Sequence, residues 1–219
     1  MTPNSQQEDK RSPDVIRHLV LLGDALQNID LGEGAPESSL VPQPRNPWKL
    51  TVLQAPEVLE QSPMRAIPSD ASHIGVAIDG GWAIETSGLL KGSAQSIHGA
   101  LEALASAADE FEDIFARLIA AALETRLPTI ICTLVPARHF DPSRQQAAAT
   151  ALAIFNDRIL RRAFAARLSI VELRLVCDET GDYASATLLS RAGVRKVANV
   201  ARSALYEISR EPGRTRVYF

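Results

Sequence analysis

The chain has 219 residues, 46% of them hydrophobic and 22% charged, with a formal net charge of -3 at pH 7. That describes one soluble globular domain, long enough to bury a core without covalent staples. The slight acidity gives no pull toward nucleic acid or an anionic membrane, and Cys132 and Cys177 form neither a CxxC nor a disulfide framework.

Residues 1–14 read as a disordered polar tail with no basic-then-apolar signal pattern. No apolar run approaches the roughly 18 to 20 residues of a membrane span, so a cytoplasmic protein is expected. His18-Leu19-Val20-Leu21-Leu22 is a short apolar strand ended by Gly23. Residues 28–47 are broken by glycine and proline and read as a long surface loop. Lys49–Leu53 is the second strand, and His73–Ile78 the third, running into Asp79-Gly80-Gly81. From Ile97 to Arg126 apolar residues recur at three and four, the stripe of one long helix or two with a bend. Pro128–Leu134 is the fourth strand, a helix follows over about Ser143–Arg167, and Leu168–Leu173 is the fifth strand. A last helix spans about Ser190–Ser209, and residues 210–219, without periodicity, read as a tail.

Apolar strands alternating with helices signal a parallel sheet covered on both faces. The expected fold is a three-layer α/β/α sandwich over residues 15–209, with a doubly wound, flavodoxin-like sheet of five parallel strands. In that architecture ligands bind beyond the C-terminal strand ends.

Those ends carry the informative residues. The run Arg17-His18-Leu19-Val20-Leu21-Leu22-Gly23-Asp24-Ala25 is a strand entering a Gly-Asp-small turn. Further on come Pro128–Thr133, the Phe155-Asn156-Asp157 helix, and Leu173–Glu179 followed by Asp182-Tyr183-Ala184. This ordered set, over roughly residues 17 to 205, resembles the SGNH (or GDSL) hydrolase family of a bacterial type. The resemblance implies a serine nucleophile after the turn aspartate, oxyanion donors from a glycine N–H and an asparagine amide, and a histidine base. At those positions this chain has Ala25, then Gln54-Ala55-Pro56, then Gly80-Gly81-Trp82-Ala83, and finally Leu188 nearest the base. A methyl cannot attack a carbonyl, and Pro56 lacks an N–H to donate.

Asp182 admits two readings, a surviving triad carboxylate or a loop and helix-end carboxylate. Asp24 is expected to hydrogen-bond neighbouring backbone N–H groups. Trp82, at the mouth of the crevice, reads as an aromatic platform or as packing. Cys177 and His139 both follow strand ends and would be an alternative nucleophile and base, although free cysteines are usually buried. His18 and His73 read as ordinary residues of the opposite strand ends, and His98 stands alone. No metal or cofactor spacing is present. The basic residues Arg191, Arg195, Lys196, Arg202, Arg210, Arg214 and Arg216 fit a solvated surface better than a nucleic-acid face.

The expected function is a pseudoenzyme: a binding or interaction module for a small molecule or protein at the Trp82 crevice. The alternative is an active hydrolase of small esters or acyl groups with a relocated nucleophile. A third reading is a structural subunit that docks a partner through the 28–47 loop.

Overall fold

The computed structural model describes residues 17–23, 25–26, 48–60, 63–81, 84, 96–136, 138, 141–186, 188–211 and 213–219. The expected tail at 1–14 and loop at 28–47 lie outside these residues.

The strands are β1 (Arg17–Leu22), β2 (Trp48–Leu53), β3 (His73–Val76), β4 (Thr129–Cys132), β5 (Ser169–Val171) and β6 (Val217–Tyr218). They form one sheet in the order β2-β1-β3-β4-β5-β6, with every pairing parallel. The five expected strands are all present. The sixth is a correction, because it comes from the stretch 210–219 that carries no periodicity. Two residues are too few to show an alternation. The strand is defined by its bonds to β5, in which Ile170 N–H donates to Arg216 O and Glu172 N–H to Tyr218 O, both at 2.8 Å.

The helices are α1 (Ala55–Glu60), α2 (Pro63–Ala66), α3 (Ile97–Glu124), α4 (Pro142–Ala165), α5 (Leu173–Val176) and α6 (Arg191–Arg210). The stripe from Ile97 thus belongs to a single 28-residue helix. Its start is capped by Ser96, whose side chain accepts from Gly99 N–H, and it ends where Arg126 turns left-handed at φ 57°. At the start of α4, Asp141 Oδ1 accepts Ser143 N–H at 2.8 Å and Pro142 occupies the first turn, where its missing N–H is harmless. α1, α2 and α5 are too short for a helical period to be legible in the sequence.

Alternate strand residues feed two cores. Val20, Leu22, Ile74, Val76, Ile131 and Ile170 face α3 and α4, where Phe111 stacks on Phe155 at 5.1 Å and on Phe115 at 5.9 Å. Leu19, Leu21, Ile130, Cys132 and Val171 face α6, which presents Ala198, Ala201 and Ala204 and so lies close to the sheet. Helices on both faces of a parallel sheet make the three-layer sandwich and leave the C-terminal strand ends open for a site.

Candidate functional site

The turn after β1 is fixed by backbone bonds to both neighbouring strands. Gly23 N–H donates to Leu53 O at 2.8 Å, Ala77 N–H to Leu22 O at 3.0 Å, and Ala25 N–H to Ala77 O at 3.2 Å. Gly23 holds φ 115°, and a Cβ there would come within 2.2 Å of Ala77 O. Only glycine meets both demands. The half-buried methyl of Ala25 is therefore presented at a defined place on the C-terminal edge. Asp24 lies outside the described residues.

Beyond β3, Gly81 N–H donates to Asp79 Oδ1 at 3.1 Å, an Asx-type turn. Gly80 is buried against the loop after β4, since a Cβ would stand 3.1 Å from Val135 O and 3.2 Å from Leu152 Cδ2. That loop is anchored in turn by Asn156 of α4. Its fully buried Oδ1 accepts Leu134 N–H at 2.7 Å. Replacing Asn156 with Ala removes the acceptor and leaves a buried N–H unpaired, so a loss of about 2 kcal/mol is expected in urea denaturation. Trp82 and His139 lie outside the described residues.

The β5 edge is a polar lattice. Glu172, nearly buried, accepts from Thr133 Oγ1 at 2.8 Å and from Arg174 Nε and Nη2 at 2.8 and 2.6 Å, while Thr133 Oγ1 accepts Leu173 N–H at 2.8 Å. Burial works against the carboxylate, but the bonds from Arg174 and Thr133 outweigh it and hold Glu172 below the usual range. Cys177 is fully buried and its thiol is pushed up to about 11, by burial first and by the Asp182 charge second. A thiol in that range is protonated at neutral pH and a weak nucleophile. Asp182 is also buried. Its Oδ2 accepts Glu179 N–H at 3.1 Å and Lys196 Nζ at 3.0 Å, and its carbonyl accepts Ser190 N–H at 2.8 Å. These contacts occupy it as a loop and helix-end carboxylate, and they raise Lys196 above its ordinary value. Leu188 is exposed, and its carbonyl accepts Ala184 N–H at 2.8 Å.

Solved structures that share this arrangement include phospholipase A1 from Streptomyces albidoflavus, 14% identical with a TM-score of 0.56, covering 86% of this chain and 99% of that one. An alpha/beta hydrolase enzyme from the metagenome of Lake Arreo is 14% identical with a TM-score of 0.57, covering 87% and 95%. A GDSL-like lipase from Bacteroides thetaiotaomicron is 12% identical with a TM-score of 0.50, covering 87% and 88%. The fold is that of the SGNH/GDSL hydrolases. No protein-family model matches the sequence, and no curated protein matches it.

Within this SGNH/GDSL-like fold, Ala25, Gly80, Gly81, Asp182 and Leu188 all belong to loops at the C-terminal strand ends. The opposite ends hold a polar cluster that the sequence did not announce. His18, second in β1, and His73, first in β3, are both buried. His18 Nε2 pairs with Thr51 Oγ1 at 2.9 Å. Asp70 Oδ1 lies 2.9 Å from Nδ1, outside hydrogen-bond geometry. Lys49, bonded to Asp70 at 2.7 Å, holds that exposed carboxyl below its usual range, with His18 adding to the effect. His73 Nδ1 pairs with Ser72 Oγ at 2.8 Å and Nε2 with Ser209 Oγ at 2.7 Å, so β3 is tied to the end of α6. This cluster is a brace at the far end of the sheet from the crevice.

Among the described residues no group of three or more His, Cys, Asp or Glu is placed to hold a metal ion. No described helix is long and apolar enough to cross a membrane. Of the basic residues near the C-terminus, Lys196 pairs with Glu179 and Asp182, and Arg214 and Arg216 pair with Glu207 and Glu211.

Proposed function

We propose that this SGNH/GDSL-like protein has lost ester hydrolysis and serves as a binding or interaction module at the crevice of its C-terminal strand ends. The observation that carries the reading is the methyl of Ala25 at the nucleophile position, in a turn that Leu53 and Ala77 fix by backbone bonds. Without an oxygen there, the acyl-enzyme step has no starting atom. Leu188, nearest the base position, offers only a hydrocarbon, and Gly80-Gly81 leads into Trp82 where the resemblance calls for an amide. Removing one oxyanion donor alone costs about 100- to 1000-fold in rate, so the joint replacements leave nothing of that mechanism. The buried Cys177 thiol, held protonated, speaks against a relocated cysteine nucleophile. Asp24, Trp82 and the residues around them would then supply contacts to a small molecule or a protein rather than chemistry. Two free thiols in the core, Cys132 and Cys177, suit a reducing cytoplasm.

The test is hydrolysis of a short-chain chromogenic ester by the purified protein, beside an active enzyme of the same fold. Background turnover and no adduct with a fluorophosphonate probe are expected. Turnover above background, or a covalent adduct at any residue, would establish a working nucleophile and overturn the reading.

A further inference from the structure

The loop after β4 carries an arginine, Arg138, that pairs with no carboxylate among the described residues. Arg138 is fixed at three points to the loop after β5, the one that also bears Leu188. Its backbone N–H donates to Ala186 O at 2.7 Å, its Nη2 donates to Asp178 O at 2.9 Å, and its guanidinium lies 5.2 Å from the ring centre of Tyr183. Tyr183 is itself anchored, donating its hydroxyl to Cys177 O at 2.7 Å. Every one of these partners is neutral. By contrast Arg158, Arg162, Arg174 and Arg216 each pair with a carboxylate. In the neighbouring loop Glu179 and Asp182 are already paired with Lys196, and Asp178 offers Arg138 its carbonyl rather than its carboxylate.

An exposed arginine normally sweeps a wide volume, and ordering it is a cost that binding must meet. Here the carbonyl and the aromatic face have already ordered it. A guanidinium has five N–H donors in a planar fork, and the Asp178 carbonyl takes one. The remaining donors match the two oxygens of a carboxylate, and the single charge matches a monoanion. The position matters as much as the charge. Arg138 stands on the C-terminal edge of the sheet, on the same rim as Ala25 and Gly80.

We propose that Arg138 binds the carboxylate of an organic acid in the crevice. The site then takes a free acid, the kind of product an esterase releases, in preference to the neutral ester. The inference rests on the binding-module reading above. An ester carbonyl can accept one N–H from Arg138 but brings no charge, whereas the carboxylate accepts two charge-assisted bonds.

Acetate, butyrate and octanoate are titrated into the full chain at low ionic strength, each beside its neutral amide, and followed by amide NMR shifts. At least one acid is expected to bind at least tenfold more tightly than its amide, shifting residues of the 178–188 loop. Arg138→Gln should lose at least tenfold in affinity for that acid while the thermal midpoint stays put. Arg138→Lys should fall between, since it keeps the charge and loses the fork. The acid-to-amide ratio on the unmodified protein decides even if a variant fails to fold. Equal binding of acid and amide, unchanged acid binding by Arg138→Gln, or no binding by any of the three acids overturns the inference. The first two outcomes leave the binding-module reading standing. Turnover of ethyl butyrate overturns that reading instead.

Discussion

Gly23→Ala is expected to destabilise the protein by about 3 to 5 kcal/mol, among the larger effects a single methyl can have. Two costs coincide at this position. An L-residue is strained at φ 115°, and the added Cβ would lie 2.2 Å from Ala77 O, a backbone atom that cannot swing away. The conflict can be relieved only by moving β1 from β3, which would break the bonds from Ala25 to Ala77 and from Ala77 to Leu22. Thermal unfolding should fall by roughly 10 °C for a domain of this size. Gly99→Ala, in the first turn of α3 where a Cβ would meet only the Ser96 hydroxyl at 3.4 Å, is the matched control and should change little. A Gly23→Ala midpoint within 2 °C of the parent, on the order of a surface substitution, would mean that the turn is far softer than its hydrogen bonds imply.

Acid should loosen the fold through His73. Burial, aided by the charge of Arg17, pushes this imidazole down to about 4 from an ordinary 6.5. Between those values the unfolded chain holds a proton that the folded chain refuses, so stability is full above pH 6.5 and is lost as the pH falls toward 4. The loss attributable to this one group is about 3 kcal/mol. Protonation would set a second cation beside Arg17 and make both ring nitrogens donors, one toward Ser72 and one toward Ser209. Glu172 and Asp70, both held below their usual values, keep their contribution until the pH falls through their own lowered values. Urea midpoints measured from pH 7 to 4 should therefore decline, and His73→Gln, weaker at pH 7, should decline less steeply. Parallel slopes for parent and variant would remove His73 as the cause.

The alternation of apolar runs with helical stripes is enough to place β1 to β5, α3, α4 and α6, because the buried strands lie within continuous apolar runs and the three helices are long enough to show their period. β6 was not legible, since Val217-Tyr218 is defined by the strand it pairs with rather than by its own pattern. Glu172 reads as part of the fifth strand in sequence, yet in the structure it caps α5 and is bonded to Thr133. That contact spans 39 positions and left no local signal. The Gly23-Asp24-Ala25 turn stands out in sequence through its resemblance to the SGNH block, and the structure supplies the backbone reason for its glycine. The histidine brace leaves no such mark in the sequence. A histidine that opens a strand looks alike in sequence whether water or Ser209 meets its ring. Arg138 is silent in sequence for the same reason, since its setting is made by Asp178, Tyr183 and Ala186, 40 or more positions away.

The place of β1 has a consequence for how the chain assembles. It is made before either strand it pairs with, β2 and β3, and its backbone contact with Ser72 closes a span of 54 residues. While the chain emerges from the ribosome, Leu19 to Leu22 must remain an unpaired apolar strand until both neighbours exist. Parallel pairings at such separations close slowly, and an unpaired apolar edge is what chaperones shield and aggregates recruit. Yield in cells should therefore depend more on how fast residues 48 to 76 follow β1 than on the strength of the finished core.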